Sequence, residues 1–221
     1  MANFFVKFVY KVLSDYGIDT KDMEPYEAIE KYEELLDKGK VKEFNSVKQT
    51  NESKVKELSE KLTDMKWEQS LNNEEKEAIK WYSAYSDKIN GILRGERDDI
   101  TPLDKRRINA IDNAIDSYEL RQPITVYRKL NKKHISSGIN KDNAFVSTSI
   151  SREVVLNTLK DKENEIIYEY KLPAVKGIGA YINNLSSYKN GEYEFLIGRG
   201  TKFKELDRRI ENGLTYIKWG I

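Results

Sequence analysis

Cysteine is absent from the 221 residues, and histidine occurs once, at His134. The first absence excludes disulfides, zinc-thiolate sites and a cysteine nucleophile. The second excludes a multi-histidine metal site and leaves Ser-His chemistry a single candidate. A charge excess of either sign is missing too: 38 basic and 37 acidic residues give a net +1. Such a balance exerts no general pull toward nucleic acid or an anionic membrane. No basic patch with interleaved aromatics suggests nucleic-acid binding. No stretch approaches the ~20 apolar residues of a membrane span. Lys7 and Lys11 interrupt the apolar N-terminus, and no small-residue cleavage site follows. The expectation is a soluble protein, cytosolic where it is made or exported by a route without a visible signal; a processed mature chain would look the same.

What is present is enough apolar sequence, 38% of the chain, to bury a core, and enough charge, 34% of the chain, to solvate the surface around it. The first half reads helical. Pro25 suits an early helical position, and the run "YEAIEKYEELLDKGK" stops at Gly39. Val55, Leu58, Leu62 and Met65 recur at spacings that mark one apolar stripe. "LNNEEKEAIKWYSAYSDKINGILRGE" opens with an Asn cap and an acidic first turn and ends at Gly95. Another helix covers roughly 103–119, with Ile108, Ile111, Ile115 and Tyr118 inward. The polar stretch 45–54 is the best linker candidate, although it also reads as lying within or between helices.

After Pro123 short β-type runs take over: "ITVYRKL", "AFVSTSI", "EIIYEYKL", "GAYI", "EYEFLIG", "TKFKEL" and "LTYIKW". Helices first and strands afterward predict an α+β fold. Within these runs three features carry chemistry. Glu192 and Glu194 sit one residue apart; on a strand they share a face, their Cα atoms about 6.6 Å apart. Arg128 follows "ITVY" and must find an anion or reach solvent. Ser147, Thr148 and Ser149 form a hydroxyl run inside an otherwise apolar segment, and buried hydroxyls need partners. Each feature alone also fits a solvated edge strand.

Taken in order, Arg, then Ser-Thr-Ser, then Glu-x-Glu resembles the signature of mono-ADP-ribosyltransferases. The wording is close to the enzymatic components of clostridial binary toxins of the iota type and their insecticidal relatives. "YSDKINGILRGE" looks like that family's helix before the active site, so the resemblance spans roughly residues 74–221. It implies a helical N-terminal part, residues 1–70, followed by an antiparallel-rich two-sheet catalytic domain, residues 71–221. The short N-terminal part is an appendage that supports the catalytic domain, caps it, or docks a delivery partner.

The resemblance also implies roles. NAD is a substrate, and no metal is needed. Arg128 holds an NAD phosphate, a task its fork geometry suits. Ser147 orients the catalytic glutamate. Glu194 grips the nicotinamide ribose 2′-hydroxyl, and Glu192 contacts the acceptor. Glu at that first position goes with arginine acceptors in the family, whereas Gln goes with others. Asn90 and Arg94 match the family's NAD-binding "IN..LR" helix. Thr148 and Ser149 join the cofactor-binding set, as do Tyr82 and Tyr85, whose spacing fits core packing equally well. Tyr188 resembles the aromatic that recognises substrate but sits one residue further from the glutamates. The similar toxins place a Phe and an Arg after the serine strand; here "SREVVLNTLKDKENE" has no Phe, leaving Lys160 or Lys162 as substitute cations. The expected activity is transfer of ADP-ribose from NAD to an arginine of a target protein, actin or a bacterial one. An NAD glycohydrolase and a binding module without catalysis remain the alternatives.

Overall fold

A computed structural model describes residues 4–38, 49–135, 137–161, 163–187 and 191–221. Two helices, α1 (Phe4–Asp15) and α2 (Pro25–Asp37), come first and pack against each other. They share a small core of their own around Val9, Leu13, Ile29 and Tyr32. The expected stop of α2 at Gly39 lies outside the described residues. Two more helices follow, α3 (Gln49–Leu62) and α4 (Met65–Ser70). Val55, Leu62 and Trp67 from these helices belong to the main core. Trp67 Nε1 donates to the carbonyl of Ala114 at 3.0 Å, and the Tyr118 hydroxyl donates to the carbonyl of Leu62 at 2.7 Å. These contacts tie α3 and α4 to the main core, whereas α1 and α2 hold a separate one. Met65 leaves the predicted stripe and is 65% exposed. The reason is local: Asp64 breaks the helix and caps α4 by accepting from the amides of Lys66 and Trp67.

The long helix α5 (Asn73–Arg94) starts and stops where its caps say. Asn72 and Glu75 form a capping box, and Gly95 closes the other end at φ 74°. Helix α6 (Pro102–Ser117) is capped by Thr101 and Asp104 and buries Ile108, Ile111 and Ile115. These two helices pack together against the sheet.

Among the described residues eight strands follow: β1 (Ile124–Asn131), β2 (Ile139–Lys141), β3 (Val146–Ser149), β4 (Glu165–Leu172), β5 (Gly179–Tyr181), β6 (Glu194–Ile197), β7 (Lys202–Glu211) and β8 (Leu214–Gly220); a short helix α7 (Arg152–Asn157) lies between β3 and β4. The α+β order holds. The two-sheet expectation is corrected in one respect: the strands form a single eight-stranded sheet, ordered β2-β7-β8-β4-β1-β3-β6-β5. Its halves join through one register pair, Tyr127↔Ser149. By contrast β1 pairs with β4 along its whole length, from Ile124↔Leu172 to Asn131↔Glu165. The seam between halves is thus a near-break in the ladder, and the site forms there. Strand β7 runs five residues past the predicted "TKFKEL". It then turns through Asn212 and Gly213, both at positive φ, into β8.

Candidate active site

A pocket of about 280 Å³ opens at the seam between β1 and β3. Arg128, Ser147, Glu192 and Glu194 all line it, together with Asn90, Thr148 and Ser149. The register explains the grouping. Ser149 lies opposite Glu194 on β6 and opposite Tyr127 on β1, so three adjacent strands deliver side chains to one place.

Glu194 is 6% exposed. Burial pushes its carboxyl from the ordinary 4.5 up to about 7, against the opposing pull of a hydrogen bond from Ser147. Behind that serine stands a relay: Asn90 Nδ2 donates to the Tyr82 hydroxyl at 2.9 Å, which lies 3.3 Å from Ser147 Oγ. Tyr82 itself is fully buried edge-on against Phe145, so it is core that positions the serine and not a wall of the pocket. Among the described residues, three buried polar atoms here have no hydrogen-bond partner: Glu194 Oε2, Arg128 Nε and Asn90 Oδ1. Buried polar atoms are nearly always paired. Three orphans around one cavity mark a place where a ligand supplies the partners, and a phosphate for the guanidinium and a hydroxyl for the carboxylate fit these donors and acceptors.

Other expectations shift. Glu192 lies outside the strand, because β6 begins at Glu194 and Tyr193 adopts φ 49°. Strand alternation is therefore not what brings the two glutamates to one pocket. The Thr148 hydroxyl donates to the carbonyl of Phe195 at 2.6 Å, and the Ser149 hydroxyl to that of Glu192 at 2.6 Å. Both hydroxyls hold backbone, although both residues line the cavity. Arg94 is absent from the pocket wall; it forms a bidentate pair with Asp142 at 2.9 and 2.6 Å. Tyr85 stacks on Trp81 with centroids 4.7 Å apart and bonds the backbone of Tyr26 on α2, away from the pocket. Tyr188 and Lys162 lie outside the described residues, while Lys160 lines the cavity.

The pocket also holds residues that sequence reasoning missed. Lys129 and Glu165 pair at 2.9 Å on its rim, and Ser83 and Ser86 face it from α5. Only adjacency to Arg128 hinted at Lys129; Glu165 is brought in by the β1–β4 register. Removing the serine that restrains Glu194 has a defined consequence. In Ser147→Ala the carboxyl loses a bond that favours its charged form, so its pKa rises further. The acid limb of activity should move to higher pH by roughly half to one unit, the worth of one hydrogen bond. A pH-rate profile of the variant checks this.

Comparison with known proteins agrees with the geometry. A family model described as ADP-ribosyltransferase exoenzyme matches residues 51–142 and 132–218. Among solved structures, Plx2a, an ADP-ribosyltransferase toxin from Paenibacillus larvae, is 23% identical with a TM-score of 0.63, covering 77% of this chain and 94% of its own. C3stau2 from S. aureus, solved with NAD, is 19% identical with a TM-score of 0.60, covering 81% and 98%. The ADP-ribosyltransferase Vis, from Vibrio splendidus, solved in complex with agmatine, is 22% identical with a TM-score of 0.56, covering 80% and 89%. No curated protein sequence matches the chain. With the family model spanning most of its length, the chain belongs to the ADP-ribosyltransferase exoenzymes.

Proposed function

We propose that this chain transfers ADP-ribose from NAD to the guanidinium of an arginine side chain, releasing nicotinamide. The observation that carries the reading is the buried Glu194 carboxylate, bonded by Ser147 and with one oxygen unpartnered, in a pocket that also holds Arg128 and Glu192. The glycosidic bond between ribose C1′ and the nicotinamide nitrogen breaks, and its electron pair leaves with a now neutral nicotinamide. Positive charge develops on the ribose, and a carboxylate in a dry site stabilises it. We assign that role to Glu194, and the holding of an NAD phosphate to Arg128, whose fork geometry suits it. The acceptor guanidinium is protonated at neutral pH and must lose a proton as its nitrogen attacks C1′. Glu192 orients it and takes the proton. The agmatine complex of Vis, a guanidino compound on a relative of the same fold, supports this acceptor chemistry. We read the cellular acceptor as a protein, actin on the iota-type resemblance, with α1 and α2 as the segment available to a delivery partner.

Label transfer tests the reading. The chain is incubated with NAD labelled in its ADP-ribose half and with agmatine as a small guanidine. The expected result is labelled agmatine with at least one nicotinamide released per adduct. Nicotinamide release without any adduct, whatever the agmatine concentration, would overturn the arginine assignment. An absence of nicotinamide release would overturn the transfer itself.

A further inference from the structure

The backbone between the two glutamates departs from strand geometry in one place. Tyr193 has φ 49°, a left-handed conformation that a large aromatic residue rarely adopts. The hydrogen bonds give the reason. In an extended strand successive carbonyls point to opposite sides. Here two in a row turn toward β3: the carbonyl of Glu192 accepts from Ser149 Oγ at 2.6 Å, and that of Tyr193 accepts from the amide of Ile150 at 3.1 Å. The next carbonyl, of Glu194, turns the other way and accepts from the amide of Ile182 at 3.1 Å. The serine is itself held, since its Oγ accepts from the amide of Ser151 at 3.0 Å. The Tyr193 ring packs against the main core, which anchors the twisted residue from its side chain as well.

We infer that Ser149 and the left-handed Tyr193 form a clamp that sets where the Glu192 carboxylate stands, and so governs how ADP-ribose divides between a guanidine acceptor and water. Both are positioning residues for Glu192. The inference rests on the proposed function, because it takes Glu192 to act on the acceptor. Without the Ser149 hydroxyl the Glu192 carbonyl loses its tie to β3, and residue 193 has no cause to keep a costly conformation. The segment then relaxes toward plain strand, which carries the Glu192 side chain away from its present place on the pocket wall. Glu194 stays put, because it begins the regular ladder with β3.

The test measures two products in parallel, labelled agmatine and the labelled free ADP-ribose formed with water, and takes their ratio. Ser149→Ala should lower the ratio at least roughly tenfold, a loss confined to the acceptor step. Two further variants separate conformation from packing. Tyr193→Val and Tyr193→Asn both lose the ring, but Asn tolerates left-handed backbone and a β-branched residue does not. Val should lower the ratio as Ser149→Ala does, and Asn should keep it within about threefold of the parent. An unchanged ratio in Ser149→Ala, or equal ratios for Val and Asn, would overturn the clamp. Glu192→Ala measured alongside tells the two failures apart. If it lowers the ratio while Ser149→Ala does not, the clamp falls and the function stands. If it leaves the ratio unchanged, the acceptor role of Glu192 falls and takes the clamp with it.

Discussion

Glu194→Gln should abolish activity and stabilise the protein at the same time. The activity loss follows from removing the buried Glu194 carboxylate from the pocket, and should be on the order of 10²–10³-fold, the scale seen when a preorganised charge-stabilising group is lost. The stability gain follows from linkage. The folded-state pKa of Glu194 is raised from 4.5 to about 7, so the folded chain holds this proton more tightly than the unfolded one. Its contribution to stability is complete below the unfolded value and is lost as pH rises through the folded one. At ~1.4 kcal/mol per pH unit, the parent loses about 3 kcal/mol through this group between about pH 4.5 and pH 7. A glutamine does not titrate. The stability difference between variant and parent should therefore grow by about that amount from about pH 5 to pH 8, several degrees of melting temperature for a chain of this size. Denaturant melts at the two pH values check it. A difference that does not change with pH would mean that Glu194 titrates near its ordinary value. The same shift places the acid limb of kcat/KM near pH 7. The limb of kcat should lie lower, because the cationic nicotinamide ring of bound NAD favours the ionised carboxylate.

Glu192→Ala should split the reaction in two. General-base assistance is worth roughly 10²–10⁴-fold, so ADP-ribosylation of agmatine should fall by at least ~10². Hydrolysis of NAD to free ADP-ribose should fall far less, because in the proposed mechanism bond cleavage draws on Glu194, Ser147 and Arg128, which the substitution leaves in place. The measurement is the same pair of products followed over time. Equal losses in both would identify Glu192 as part of the cleavage machinery. Loss of neither would identify it as a bystander at the rim.

What could be read from the sequence was what is encoded locally. Helix α5 was legible from end to end because Asn72 and Gly95 cap it with their own side chain and backbone. The order of Arg128, Ser147 and the glutamate pair was legible because strands write their residues in sequence, and the pocket gathers all of them. The errors arose where distant chain decides. The alternation expected of Glu192 and Glu194 failed because β3 draws two successive carbonyls to itself. Arg94 was expected to bind NAD from its match to the "IN..LR" helix; its bidentate pair with Asp142, forty-eight residues along, had no signal in the local sequence. The far half of β7 was invisible because "DRRIE" lies on an exposed ribbon with no apolar alternation to reveal it. Met65 was added to a stripe that Asp64 had already ended.

The place of β8 has a consequence for the segment that bears the two glutamates. It lies parallel to β4, from Ile166↔Thr215 to Lys171↔Gly220, and such a pairing needs a long crossover. That crossover is the chain from 173 to 213, which contains β5, the glutamate segment, β6 and β7. The connection that closes the sheet is the same one that carries Glu192 and Glu194. Joining β8 to β4 waits on a costly closure of distant segments. Because β6 is held by β3 and β8 by β4, the segment that bears the two glutamates is tied into the sheet on either side of the β1–β3 seam.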